Sequence, residues 1–150
     1  MVPLKTLALT LLLAYSVTAG AQAQTPEQMA EISTHLEFLG YEVKQSEANL
    51  TATNNAKLDI LVQTYQGGLL MQSFLSAKGT KDDLLPMANL LNTGAAVARF
   101  YVDTDGDLVI EAWTAGDYDK TRFATFLEAW DADTVGQFRA HSDEFVQLFN

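Results

Sequence analysis

Cysteine is absent from all 150 residues, which rules out a disulfide framework and leaves no thiol to carry a lipid anchor. Cationic side chains are scarce. Nine Lys and Arg stand against nineteen Asp and Glu, a formal net charge of −10 that argues against nucleic acid and anionic membranes as partners. Histidine occurs only as His35 and His141, each alone in its stretch, so no zinc site or catalytic triad can be assembled from neighbouring positions. The serines lack a nucleophile-elbow context, and neither Gly67-Gly68 nor Gly94 belongs to a phosphate-binding pattern. None of this points to an enzyme, and no cofactor is implied.

The longest apolar run, Leu7 to Val17, is too short to span a bilayer comfortably. Lys5 precedes it and Ala21-Gln22-Ala23 follows, the order of a cleaved export signal, so residues 1–23 are expected to be removed. Cleavage after Ala23 would leave 8 cationic against 19 acidic side chains, in a periplasmic or secreted chain without stable membrane insertion. The remaining length and a 48% hydrophobic content suit one core and one domain, residues 24–150.

The most readable stretch is Asn92 to Ala115, two strands about a tight turn. Gly106 supplies the left-handed residue that ends a three-residue loop. That loop sets Val102 opposite Leu108, Phe100 opposite Ile110, Ala98 opposite Ala112 and Arg99 opposite Glu111, making one face wholly apolar. A two-residue turn at Asp105-Gly106 would instead set Phe100 against Glu111. The acidic tip, Asp103 to Asp107, resembles the start of a calcium loop, but Leu108 and Thr114 stand where an EF-hand needs its glycine and its bidentate glutamate. A turn is the better reading.

Upstream, Thr25-Pro26-Glu27-Gln28 opens a helix as a capping box, Met29, Ile32, Leu36 and Leu39 recur at helical spacing, and Gly40 stops it. Tyr41 and Val43 alternate like a strand, whereas Ser46 to Lys57 is small and polar, with a turn at Asn54-Asn55. Leu58–Gln66 and Leu69–Ala77 form a hairpin about Gly67-Gly68, with Leu58, Ile60, Val62, Met71 and Leu75 on one face. Leu61, Tyr65, Leu70 and Phe74 cluster on the other, which therefore needs cover from a helix, a loop or another subunit.

A short helix carries Leu84, Leu85, Met87, Leu90 and Leu91 to a close at Asn92-Thr93-Gly94. Asp83 as N-cap would keep Pro86 in the first turn, whereas a start at Thr80 would cost a backbone bond. Asp117 or Asp119 caps a long last helix with an apolar stripe from Phe123 through Trp130 and Phe138 to Leu148, which Gly136 can bend or interrupt. That helix outreaches the sheet, so its part from Phe138 onward is expected to pack elsewhere. The order is α-β-β-β-α-β-β-α, an α+β plan with an antiparallel sheet of two hairpins plus an extra strand.

From Leu58 to Phe149 the chain resembles the YbjN-like family of bacterial sensory transduction regulators, which shares its fold with type III secretion chaperones. The resemblance rests on the strand pair, the helix ending Leu90-Leu91-Asn92, the Arg99-Phe100-Tyr101-Val102 strand, the Asp105-Gly106 turn, the Leu108 to Ala112 strand and the long last helix. It implies a non-enzymatic, often dimeric domain that holds protein segments or partner domains, and it carries no catalytic residues. The export signal departs from the better-known members.

Two functions follow as expectations. One is a chaperone-like or regulatory interaction domain, a homodimer or a binder of protein or peptide, through Leu61, Tyr65, Phe74, Tyr101, Trp113, Phe138 and Phe145. The other is a small-molecule carrier with a pocket between sheet and last helix at Trp113 or Trp130.

Overall fold

The computed structural model describes residues 23–47 and 49–149; the expected signal segment, apart from Ala23, lies outside them. The elements run α1 (Pro26–Phe38), β1 (Glu42–Gln45), β2 (Asn49–Thr53), β3 (Ile60–Tyr65), β4 (Gly68–Leu75), α2 (Lys81–Asn92), β5 (Arg99–Val102), β6 (Leu108–Ala115), α3 (Lys120–Ala140) and α4 (Ser142–Phe149). The strands make one antiparallel sheet in the order β1-β2-β3-β4-β6-β5, and the class is α+β.

Local chemistry sets several boundaries as expected. Thr25 and Gln28 cap α1 reciprocally, and Gly40, at φ 87°, ends it in a conformation that favours glycine. Asp119 caps α3 by accepting from the Arg122 amide at 2.8 Å. The β5–β6 hairpin takes the expected register, Arg99 opposite Glu111 and Phe100 opposite Ile110, with Gly106 at φ 91°. In its tip the Asp103 carboxylate accepts from the amides of Asp105 and Asp107 at 3.0 and 2.9 Å, so this acidic side chain serves the turn.

Four expectations are corrected. The polar segment after β1 contains a strand, β2, because Leu50 and Ala52 alternate with threonines and both are fully buried. The β3–β4 loop is Gln66-Gly67 at φ 46° and 72°, with Tyr65 opposite Gly68; the paired faces stay as expected, but the register moves by two residues. Gly68 is needed for another reason: a Cβ there would lie 2.1 Å from the Thr114 carbonyl oxygen of β6.

The other two corrections concern helices. α2 starts after Thr80, not Asp83, because the Asp83 carboxylate accepts from the Thr80 amide at 2.8 Å while the Thr80 hydroxyl faces the Asp83 amide. Pro86 therefore lies inside the helix, but it and Asp82 are exposed, so water can satisfy the Asp82 carbonyl that the proline leaves unbonded. The last helix continues unbroken past Gly136 and ends at His141. Beyond that point α4 folds back onto its own domain, with the Lys78 amide donating to the Leu148 carbonyl at 2.9 Å. Its distal aromatics thus pack against the core of their own domain: Phe138 lies tilted against Phe145 at 4.3 Å between ring centres, and Phe145 stacks on Phe149 at 4.4 Å.

All four described helices lie on one side. Met29, Ile32 and Leu36 of α1, Leu84 and Leu91 of α2, and Phe123 and Trp130 of α3 share a single core with Leu50, Ile60, Val62, Met71, Phe100, Leu108 and Ile110 of the sheet. Burial of each such side chain contributes about 1.5–3 kcal/mol. Leu70 and Val109, also buried, stand outside this cluster, on the opposite face.

Two side chains tie the far edge of the sheet to the helices. Asn92, at the end of α2, donates to the Phe100 carbonyl at 2.7 Å and accepts from the Phe100 amide at 2.9 Å, as a neighbouring strand would. Asp133 of α3 accepts from the amides of Ala96, Val97 and Ala98 through one carboxylate oxygen at 2.9, 2.6 and 2.8 Å. Charge-assisted bonds of this kind exceed neutral ones. Asp133→Ala is expected to lower stability by about 2–3 kcal/mol, read from urea unfolding, because it strands three amides around a lost acceptor.

Candidate functional site

Alternation along the strands places Leu61, Gln63 and Tyr65 of β3, Leu70, Gln72 and Phe74 of β4, Val109, Glu111 and Trp113 of β6, and Arg99 and Tyr101 of β5 on the face away from the helices. No described helix covers it. The expected interface residues Leu61, Tyr65, Phe74, Tyr101 and Trp113 come together here, whereas Phe138 and Phe145 lie in the aromatic stack on the helical side.

The face has an internal order that the strand pairing sets up. A polar network crosses the strands diagonally: the Gln63 carboxamide donates to that of Gln72 at 3.1 Å, and Gln72 donates to Glu111 Oε2 at 2.9 Å. Arg99 then donates to Glu111 Oε1 at 2.5 Å and the Tyr101 hydroxyl to Oε2 at 3.2 Å. The Arg99 guanidinium also stacks 4.9 Å from the Tyr101 ring centre. Burial, followed by the Glu111 charge, raises the Tyr101 phenol above its ordinary pKa. These groups bond to one another and form a prearranged surface.

Apolar groups flank that network. Val109 lies between Phe74 and Tyr101 on the paired strands and is fully buried, while Leu70 sits between Gln63 and Trp113. The larger rings stay open to solvent: Tyr65, Phe74 and Trp113 are 47%, 49% and 46% exposed. Trp113 is held in place, because its Nε1 donates to the Tyr65 carbonyl at 3.0 Å across the space that Gly68 leaves free. Large rings with few torsions to immobilise are what an interaction surface uses.

A second feature escaped sequence reasoning. A cleft of about 630 Å³ separates α1 from the loop before α3 and is lined by Glu31, Thr34, His35, Phe38, Tyr118 and Lys120, among others. His35 Nδ1 and the Tyr118 hydroxyl are 3.2 Å apart, and the imidazole meets the Phe123 ring edge-on at 5.3 Å. Burial and then the Lys120 charge lower the His35 pKa; burial, Glu31 and Asp119 raise that of Tyr118. The only sequence signal was His35 on the helix flank, and its partner lies 83 positions away. Trp130 is packed in the core and Trp113 lies on the opposite face, so the two tryptophans do not line a common pocket.

Among the described residues no three His, Asp or Glu converge as a metal site, and no helix is long and apolar enough to cross a membrane. Comparisons with models of protein families, with curated proteins and with solved structures find no match to this chain.

The lowered imidazole gives a pH test. Because unfolded His35 protonates near its ordinary value of about 6.5 and folded His35 only below it, its contribution is fully present above that value. It is lost as pH falls from there through the folded pKa. Thermal unfolding is expected to show a smaller loss over this window in His35→Gln than in the parent, and NMR should place the parent imidazole below the ordinary value.

Proposed function

We propose that this chain is a non-enzymatic interaction domain, chaperone-like or regulatory, that engages an apolar protein segment on the helix-free face of its sheet. The observation that carries this reading is the set of half-exposed Tyr65, Phe74 and Trp113 around the self-satisfied Gln63-Gln72-Glu111-Arg99 network. Exposed aromatic rings with their polar neighbours already paired cost little to dock against, since no buried donor is left without a partner. The resemblance of residues 58–149 to YbjN-like proteins supports the same kind of role.

The face also suits an otherwise acidic chain. Arg99 and Glu111 neutralise each other there, so an incoming segment meets little of the overall charge of −10. A photo-crosslinking residue placed at Phe74 or at Trp113 in the producing cell is expected to give discrete protein adducts, while the same residue at exposed Leu85 on α2 gives none. Equal labelling at all three positions, or none at Phe74 and Trp113, would remove the proposal.

Export to the periplasm or beyond belongs to the same reading. Its support is the signal pattern of residues 1–23 and the anchoring of the residue that follows. Gln24 is buried, donates to the Gly116 carbonyl at 3.2 Å and accepts from the Tyr118 amide at 2.7 Å, so cleavage after Ala23 retains the first tie of the fold. N-terminal sequencing of the mature chain is expected to begin at Gln24; a chain isolated with Met1 in place would contradict export by this signal.

A carrier of a small ligand is the second reading, favoured by the mainly apolar cleft beside His35 and Tyr118. It relocates the pocket from the interior of the domain to the groove between α1 and the start of α3.

A further inference from the structure

The two edges of the sheet are finished differently. At β5 the outward groups of Phe100 are bonded by Asn92, the amide of Ala98 by Asp133, and the carbonyl of Asp103 by Lys81. Side chains of the same domain thus occupy much of that edge, and α2 packs beside it.

β1, at the opposite edge, has no such cover among the described residues. The Ser46 amide donates to the Asn49 carbonyl at 2.9 Å, and alternation from this pair turns the backbone groups of Glu42 and Lys44 toward β2. Those of Val43 and Gln45 then point outward, and no described group bonds to them. Glu42, Lys44 and Gln45 are exposed, and the strand contains no proline or bulge to discourage pairing.

We propose that β1 is a homodimerisation edge, at which two copies pair antiparallel about Val43 and join their sheets into one. The charges select this occupant and this register. With Val43 opposite Val43 of the second copy, the outward backbone groups of both residues meet as a doubly hydrogen-bonded pair. Glu42 then faces Lys44 of the second copy and Lys44 faces its Glu42, giving two opposite-charge pairs on the helix-free face. Moving the register two residues one way sets Lys44 against Lys44, and two residues the other way sets Glu42 against Glu42. A one-residue slip would put the core face of one sheet on the open face of the other.

In a chain with nine cationic and nineteen acidic side chains, a lysine next but one to a glutamate on an open edge makes that edge self-complementary. The joined sheet would present two helix-free faces side by side. The inference depends on the edge alone and holds whether or not the face binds a protein segment.

Charge reversal tests it. Light scattering and sedimentation of the purified chain are expected to show a concentration-dependent dimer, and Glu42→Lys or Lys44→Glu alone should weaken self-association by about tenfold or more, since both pairs become repulsive. Mixing the two single variants should restore a dimer, now a heterodimer in which every pair is opposite in sign, and the double reversal should restore the homodimer. Both positions are exposed, so each variant is expected to fold, which circular dichroism and melting check. A parent that stays monomeric at millimolar concentration, a dimer indifferent to both single reversals, or a mixture that fails to associate would overturn the proposal.

Discussion

The eight-residue pairing of β4 with β6, from Gly68 opposite Ala115 to Leu75 opposite Leu108, is the constraint on which the rest of this domain depends. It joins two hairpins that local turn chemistry can build separately. α2 and β5 lie between the paired strands in sequence, so this contact closes a long loop and must recover that entropy from side-chain pairing. It does so on both faces. Met71 and Ala112 meet in the core, while Gln72 meets Glu111 and Phe74 meets Val109 on the open side. Without this pairing, the polar network and the aromatic groups around it would belong to separate hairpins.

The same constraint explains why the open face is ordered. Trp113 reaches the Tyr65 carbonyl only because Gly68 brings the β4 and β6 backbones close and leaves room above them. Glu111 collects Gln72, Arg99 and Tyr101 only because β6 stands between β4 and β5. A solvated sheet face ordinarily alternates to short polar groups, and this one carries rings held by bonds to neighbouring strands.

What was legible in the sequence was what neighbouring residues decide. The Asn92 to Ala115 hairpin could be registered because Gly106 selects the loop and Arg99 and Glu111 select each other. The faces of β3 and β4 followed from period two alone, so an error in the turn left them unchanged. Elsewhere local rules competed. The cost of Pro86 inside a helix argued for a late start to α2, and the Thr80–Asp83 capping pair outweighed it because the unbonded carbonyl faces water. β2 was hidden by its threonines and asparagine, whose small polar character reads as a loop until Leu50 and Ala52 are seen to point into the core. The break at His141 has no glycine or proline to announce it; it follows from Phe145, Leu148 and Phe149 packing back on the domain.

Non-local capping makes the domain directional. Asn92 and Asp133 reach the β5 edge from α2 and α3, and each acts as a strand would by offering hydrogen bonds to outward backbone groups. Any protein with an open sheet must close its edges, cover them or use them. Here one edge is tied down by side chains placed far away in sequence, while the other carries a glutamate and a lysine at alternate positions and, among the described residues, nothing across from them. Like charges would have repelled every copy at that edge, and a bulge or proline would have spoiled the backbone match. The pattern present does neither, and in the proposed dimer pairing about Val43 would use up the open edge of both copies. Such an assembly would close at two.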